Sequence, residues 1–190
     1  IAILEESVMF YGAYGMVHYS PKLRNRIWNT VAYPTAVFTE DGNIYVSTLN
    51  QGLFRVEGTE LKEVQGTEEH VGQNAIVDHV VFNDECYLLS RNAGFYTFHD
   101  KQLKPHITEA DAFLEKGVKK VIPVGNRFLA VAVAGEGLVI LNDQWQVVLL
   151  IDSSVDTNFS SIKDLHYSEE GILWATTSVG LIKMMFPSPL

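Results

Sequence analysis

A hairpin motif that recurs five times constrains this chain more than any other feature of its sequence. The clearest copy, Gly171–Met184, reads as an apolar strand, a tight turn and a second apolar strand. β-Branched and aromatic residues on both sides of a glycine-containing turn are typical of a β-hairpin. The other four copies lie at Val8–Tyr19, Tyr45–Val56, Tyr87–Phe98 and Leu129–Leu141.

The turn glycines give the repeat its period. They are Gly15, Gly52, Gly94, Gly137 and Gly180, and successive glycines are 37, 42, 43 and 43 residues apart. A near-constant period of about 40 to 45 residues is the mark of a β-propeller. The sequence therefore predicts an all-β chain of four-stranded antiparallel blades. We expect each turn glycine to supply a positive φ that a side chain would penalise.

Each repeat holds more than its hairpin. An apolar segment precedes the hairpin and a short strand follows it, which makes four strands, called a, b, c and d. We expect strand d to be outermost and more polar, since lysine and proline protect an edge against pairing. The five blades then cover about 1–31, 32–70, 71–113, 114–157 and 158–186, and residues 187–190 begin a linker.

The number of blades raises the question of closure. The last blade has no strand d, and the sequence begins inside an apolar strand. An isolated arc would expose blade faces larger than the few hundred Å² of apolar surface that a monomer usually tolerates. We favour an arc of a larger propeller, completed by further sequence or a partner chain, and a closed five-bladed ring is the alternative.

Composition excludes several classes of partner. The 190 residues carry a net charge of −9, from 14 basic and 23 acidic residues, which disfavours nucleic acid and anionic membranes as the main partner. The single cysteine, Cys86, allows no disulfide within the chain. No apolar run approaches the roughly 18 residues that a membrane span needs.

The motif G-x-L-W-x-x-T-x-x-G-L, complete in Gly171–Leu181, resembles the two-component regulator propeller repeat. A variant with Tyr45 in place of the tryptophan lies in Gly42–Leu53, and the other copies match in period only. The resemblance implies the periplasmic or extracellular sensor region of a membrane-anchored bacterial receptor. In that family the propellers precede a β-sandwich, a membrane span and a histidine kinase or diguanylate cyclase, and relatives in gut bacteria sense oligosaccharides. It also implies that the adjoining blades or β-sandwich of the same receptor are partners, and a homodimer is a further expectation.

No catalytic, metal or cofactor motif stands out in the sequence. The six histidines have no metal-binding spacing, and nucleophile-elbow, phosphate-loop and dinucleotide fingerprints do not occur. We therefore predict a non-catalytic binding module without a cofactor.

The candidate ligand site lies where the b–c turns and d–a connections share one end of the blades. Amide, carboxylate, guanidinium and tyrosine side chains there suit the hydroxyls and ring faces of a sugar. The predicted ligand-binding residues are Tyr14, Tyr33, Asn50, Gln51, Arg91, Asn92, Glu136 and Asp156.

Two other functions stay open. A propeller lyase or glycosidase would use carboxylates on the same surface, Glu136, Asp111 and Asp156, and glycoside hydrolysis needs two carboxyl groups roughly 5 to 9.5 Å apart. A structural scaffold for protein contacts or dimerisation would instead expose an apolar patch.

Overall fold

The protein is described here from a computed structural model that covers residues 2–4, 7–13, 15–21, 26–28, 33–58, 60–71 and 74–185. Over these residues the chain forms five antiparallel sheets in succession, and short helices occur only in the connections between sheets. Strands that are neighbours in sequence are neighbours in each sheet, so every sheet is a simple meander. The chain is thus an all-β protein of β-propeller blades, which confirms the fold class predicted from the glycine period.

The strands of the five sheets follow the predicted a, b, c, d order. The first sheet holds β1 (Ala2–Leu4), β2 (Ser7–Gly12), β3 (Gly15–Tyr19) and β4 (Arg26–Trp28). The second holds β5 (Pro34–Glu40), β6 (Asn43–Thr48), β7 (Gly52–Glu57) and β8 (Glu60–Glu63). The third holds β9 (Ile76–Phe82), β10 (Glu85–Ser90), β11 (Phe95–His99) and β12 (Gln102–His106). The fourth holds β13 (Val118–Val124), β14 (Phe128–Val133), β15 (Gly137–Asn142) and β16 (Val147–Ile151). The fifth has three strands in the described residues, β17 (Asp164–Tyr167), β18 (Ile172–Thr176) and β19 (Leu181–Met185).

Two compact units make up the chain. The first comprises Ile1–His79 with Phe98–Leu103, and the second comprises Val80–Thr97 with Lys104–Leu190. In the first unit, Met9 and Met16 of the first sheet pack with Val37 and Val46 of the second. An aromatic group of the same unit adds edge-to-face contacts that Phe98 makes with Phe38 and Tyr45, at 5.8 and 4.9 Å between ring centroids.

The fourth sheet is buried on both faces inside the second unit. Alternate residues of β14 point to opposite sides, so Leu129 and Val131 join one apolar cluster while Ala130 and Ala132 join another. The first cluster includes residues of the third sheet, such as Tyr87 and Leu89, and the second includes residues of the fifth sheet, such as Leu173 and Ala175. Burial on both faces explains why the strands of this sheet are almost continuously apolar.

The connections between sheets contain short helices that the sequence does not predict. They are α1 (Glu68–Val71), α2 (Asp111–Leu114) and a 3₁₀ helix at Thr157–Ser161. Because each has only about one turn, none is long enough to show a helical period in the sequence. None of the described helices has the length and apolar character needed to cross a membrane.

Two details of the strands differ from expectation. Strand β16 is an outer strand and yet entirely apolar, with Val148 and Leu149 exposed to 49% and 42%. Leu181 occupies the place of the buried residues Leu53, Phe95 and Leu138, but it is 61% exposed. The reason is its position on the face of the fifth sheet that points away from the fourth sheet.

Candidate functional site

In the second unit, the b–c turns of three sheets and the connections between these sheets adjoin one another. We call this the turn surface. It consists of the turns at 91–94, 134–136 and 177–180 and of the connections at 107–117 and 152–163.

Hydrogen bonds tie the turns to the connections. The backbone N–H of Val118 donates to the carbonyl of Arg91 at 2.7 Å, and that of Gly135 donates to the carbonyl of Ser160 at 3.3 Å. The N–H of Ser178 donates to the Ser161 hydroxyl oxygen at 3.4 Å. The turns of the third and fourth sheets are therefore held by the segments that lead into the following sheets, and the turn of the fifth sheet is held by the segment that leads into its own first strand.

Arg91 and Asn92 lie on this surface with exposed side chains, as the sequence predicts for a ligand-facing turn. The Asn92 amide oxygen lies beside Gly117, 3.5 Å from where a Cβ on that glycine would be. This side chain therefore lies against the connection into the fourth sheet.

An ion pair joins the connection and the turn of the fourth sheet. The Nζ of Lys116 lies 2.9 Å from Oε1 of Glu136, and both side chains are partly exposed. The sequence predicts Glu136 as a site residue but misses Lys116, because the residues that it selects from the connections, Tyr33 and Asp156, include no basic side chain. The one available signal is the position of Lys116 directly before Gly117 and strand β13.

Two aspartates of the turn surface, Asp111 and Asp156, hold backbone or neighbouring side-chain donors. The Asp156 carboxylate accepts the N–H of Asn158 at 2.8 Å and so caps the 3₁₀ helix. The Asp111 carboxylate accepts the hydroxyl of Thr108 at 2.8 Å and its N–H at 3.2 Å. These contacts assign a structural role to both carboxylates, which the sequence could not distinguish from ligand contacts.

The remaining predicted residues lie in or near the first unit's turns. Tyr33 is 56% exposed and Asn50 and Gln51 are exposed. Tyr33 and Asn50 both have positive φ, of 55° and 66°, and the Tyr33 carbonyl accepts the N–H of Leu49 at 3.0 Å. Tyr14 lies outside the described residues.

A packed aromatic group in the second unit, in which Tyr87 and Phe95 are buried and His106 and Trp145 partly buried, has no counterpart in the sequence predictions. Trp145, from the turn between β15 and β16, contacts His106 at 4.3 Å, Tyr87 at 4.5 Å and Phe95 at 5.0 Å between ring centroids. Trp145 itself has a φ of 62°. Nothing in the repeat motif marks this residue, because it lies in the c–d turn, which the motif does not include.

Burial within this group shifts two pKa values. The pKa of His106 is lowered by burial, against the opposing charges of Glu85 and Asp111, and its Nε2 is buried without a hydrogen-bond partner. The pKa of Tyr87 is raised by burial and by the hydrogen bond from its hydroxyl to the Glu85 carboxylate at 2.6 Å. Both groups are therefore neutral at neutral pH, which suits a packed aromatic cluster.

Clefts lie at the a–b end of the strands in each unit. In the first unit a cleft of about 480 Å³ lies at the a–b turn of the second sheet, lined by Leu4, Ser7, Thr39, Glu40, Asp41, Gly42 and Ile44. In the second unit a cleft of about 350 Å³ lies beside Gly125 and His166. Among the described residues there is no cluster of three or more histidine, cysteine or acidic side chains that could hold a metal ion.

Comparison of this chain with known proteins finds similarity in fold and no match to a family model or a curated protein. Its structure is similar to the extracellular domain described for the hybrid two-component system BT3049 of B. thetaiotaomicron, with a TM-score of 0.74 and 16% identity over 97% of this chain and 26% of that chain.

Two further solved structures are similar at lower scores. The extracellular domain of BT4673 of B. thetaiotaomicron has a TM-score of 0.59 and 11% identity, over 98% of this chain and 30% of that chain. PorZ, a bacterial surface component of the type-IX secretion system of Porphyromonas gingivalis, has a TM-score of 0.60 and 13% identity, over 92% of this chain and 30% of that chain. The chain thus spans less than a third of the length of each of these structures, and its likeness to them is a likeness of fold, that of a β-propeller.

Proposed function

We propose that this chain is part of the extracytoplasmic sensor propeller of a membrane-anchored bacterial two-component receptor and that it has no catalytic activity of its own. The observation that carries the proposal is the structural likeness, over 97% of the chain, to an extracellular domain of a hybrid two-component system. The turn motif Gly171–Leu181, which resembles the two-component regulator propeller repeat, supports the same role independently of the fold.

The ligand that we propose is an oligosaccharide bound at the turn surface. Arg91 and Asn92 supply donors and an acceptor, and the Lys116–Glu136 pair supplies both charges close by. Partly exposed groups of mixed charge are suited to sugar hydroxyls, which both donate and accept hydrogen bonds. Because the turns are tied to the connections through backbone groups, these side chains can exchange partners without disturbing the fold.

The contacts of the carboxylates favour binding over hydrolysis. Asp111 and Asp156 hold backbone or neighbouring side-chain donors, and Glu136 is paired with Lys116. A glycosidase needs one carboxyl group as an acid and a second as a base or nucleophile. Because all three carboxylates are engaged in these contacts, they are poorly placed for that chemistry. We therefore prefer a sensor function to a glycosidase function.

A thermal-shift screen tests the ligand proposal. The purified chain would be melted with neutral xylo-, arabino- and cello-oligosaccharides and with acidic glycosaminoglycan disaccharides. A ligand that binds only the folded state raises the melting temperature in proportion to its occupancy. We expect one of these classes to stabilise the chain and the double variant Arg91→Ala/Asn92→Ala to abolish the shift.

The cleft at the a–b turn provides the matched control. Asp41 lines that cleft, at the other end of the strands from the turns. Asp41→Asn should leave the ligand-induced shift unchanged. No shift with any class of sugar would contradict the oligosaccharide proposal, and loss of the shift in Asp41→Asn alone would move the site to the cleft.

A further inference from the structure

The turn surface carries more negative than positive charge. Its turns and connections hold six acidic residues and three basic ones. The acidic residues are Glu109, Asp111, Glu115, Glu136, Asp152 and Asp156, and the basic residues are Arg91, Lys116 and Lys163. Because like charges repel, a surface with this balance disfavours a ligand that brings further negative charge.

Acidic residues of the connections lie directly beside the turns. Oδ1 of Asp111 is 3.4 Å from where a Cβ on Gly94 would be, in the turn of the third sheet. The α-carbon of Asp152 is 3.1 Å from the corresponding position on Gly137, at the turn of the fourth sheet. Hydrogen bonds from Ser154 lower the pKa of Asp152, so this carboxylate is ionised at neutral pH. Two of the three turns therefore have an acidic residue of a connection beside them.

The Lys116 ammonium is already paired with a carboxylate. Its Nζ lies 2.9 Å from Oε1 of Glu136. An acidic sugar that paired with Lys116 would displace Glu136 and leave that carboxylate without its counter-charge. A neutral sugar can instead donate a hydroxyl to the Glu136 carboxylate, which accepts several hydrogen bonds, and the ion pair stays intact.

The backbone of the fourth-sheet and fifth-sheet turns provides no anion site. An anion-binding concavity is formed by successive backbone N–H groups that are free to donate. In the fourth-sheet turn, three N–H groups donate to backbone carbonyls, those of Ala134, Gly135 and Glu136. In the fifth-sheet turn, three N–H groups donate to side-chain hydroxyls, those of Ser178, Val179 and Gly180. A carboxylate or sulfate group would find these six donors occupied.

We propose that the turn surface binds neutral oligosaccharides and discriminates against acidic ones, with Glu136 as a specificity-determining residue. This inference rests on the oligosaccharide site proposed above. The sugar hydroxyls donate to the carboxylates and accept from Arg91 and Asn92. Glu136 acts on specificity by occupying Lys116, a cation with which an acidic sugar would otherwise pair.

Pairs of sugars that share a backbone and differ in charge test the discrimination. One pair is cellotriose and the β-1,4-linked trimer of glucuronic acid, and the other is xylotriose without and with a glucuronic acid branch. Isothermal titration calorimetry on the purified chain measures each affinity. The neutral member should bind at least about tenfold more tightly at low ionic strength. The difference should narrow at physiological ionic strength, because salt screens the repulsion.

A pair of matched variants tests the role of Glu136. Glu136→Gln removes one negative charge and releases Lys116, and because Glu136 is partly exposed the fold should tolerate the change. It should narrow the difference in affinity between neutral and acidic sugars by about two- to fivefold, the size of an exposed charge contact. Glu170→Gln removes the same charge from the exposed a–b turn of the fifth sheet, at the other end of the strands. This control should leave the difference unchanged.

The outcomes separate this inference from the function on which it rests. An acidic sugar that binds as tightly as its neutral counterpart, or more tightly, would overturn the inference and leave the oligosaccharide sensor standing. Equal effects of Glu136→Gln and Glu170→Gln would assign the discrimination to net charge and overturn the role of Glu136. If no member of either pair binds, the oligosaccharide site itself is wrong, and the inference is wrong with it.

Discussion

The turn glycines occupy equivalent places in the repeat, but the surroundings of their α-carbons differ. A Cβ on Gly52 would lie 2.8 Å from the backbone nitrogen of Glu68, and one on Gly137 would overlap the carbonyl oxygen of Ile151. Gly180 has no atom within 4 Å of that position, and its φ is not in the left-handed region, contrary to the expectation that every turn glycine has a positive φ. Two of these glycines are therefore required by close backbone contacts, Gly137 by the end of strand d and Gly52 by the chain that follows strand d.

The first prediction compares two glycines that the sequence makes equivalent. Gly137→Ala should lower the free energy of unfolding by about 2–4 kcal/mol, because its φ of 110° is strained for alanine and backbone atoms block the methyl group. Gly180→Ala should change it by no more than about 0.5 kcal/mol. Urea denaturation of both variants checks this. Equal losses of unfolding free energy in the two variants would mean that the turn conformation alone requires glycine, and not the close approach of neighbouring backbone atoms.

A second prediction concerns pH. Burial lowers the pKa of His106 below its usual value of 6.5, so the unfolded chain binds a proton at a higher pH than the folded chain does. Stability should therefore fall as the pH drops below about 6.5 and level off below the lowered folded-state pKa.

The variant His106→Phe isolates this effect. Phenylalanine keeps a ring against Tyr87 and Trp145 but does not titrate. The melting temperature of the variant relative to the unaltered chain should rise as the pH is lowered through this window. If the difference in melting temperature between the variant and the unaltered chain stays constant from pH 8 to pH 5, His106 protonates as readily in the folded chain as in the unfolded one.

At the scale of the elements, threonine side chains organise the connections between sheets. The Thr67 hydroxyl accepts the N–H of Leu53 at 2.9 Å and donates to the carbonyl of Val64 at 2.7 Å. It thus joins the start of β7 to the segment that leads into α1. Thr177 makes similar bonds around its own turn, donating to the Gly180 carbonyl at 3.1 Å and accepting the N–H of Gly180 at 3.1 Å, but in an exposed position.

The third prediction follows from this difference in burial. Thr67→Val should cost about 1–3 kcal/mol of stability, because it leaves the N–H of the fully buried Leu53 without an acceptor. Thr177→Val should cost less than about 1 kcal/mol, since water replaces the lost bonds. Thr67→Ser should recover most of the loss. Chemical denaturation measures all three, and a Thr67→Val variant as stable as the unaltered chain would rule out the hydroxyl as the link.

At the scale of the whole molecule, burial is uneven among the sheets. The fourth sheet has fully buried residues on both of its faces, such as Leu129 on one and Leu138 on the other. The first and fifth sheets bury one face each and expose apolar residues on the other. Because each blade depends on its neighbours for a core, the first and fifth sheets are where contact with a further blade would contribute most stability.

The sequence by itself determined the blade architecture. A turn glycine at a regular period, with apolar strands around it, predicts the hairpins, and the almost continuous apolar run Leu138–Leu141 predicts a strand buried on both faces. These features are local, or they repeat at a constant spacing, so they can be read without knowing what lies across from them. The exposure of the turn residues Arg91 and Asn92 could be predicted for the same reason.

Only the tertiary structure decided the contacts between segments far apart in sequence. The packing of Trp145 on Tyr87 and His106, the pairing of Lys116 with Glu136 and the exposure of Leu181 all depend on which segment lies opposite. The residue type at one position does not predict which residue packs against it from another blade, because every repeat has side chains of the same type at that position. Leu138 and Leu181 hold the same place in the motif, yet one is buried because a sheet lies against it and the other is exposed because, in the described part of the chain, none does.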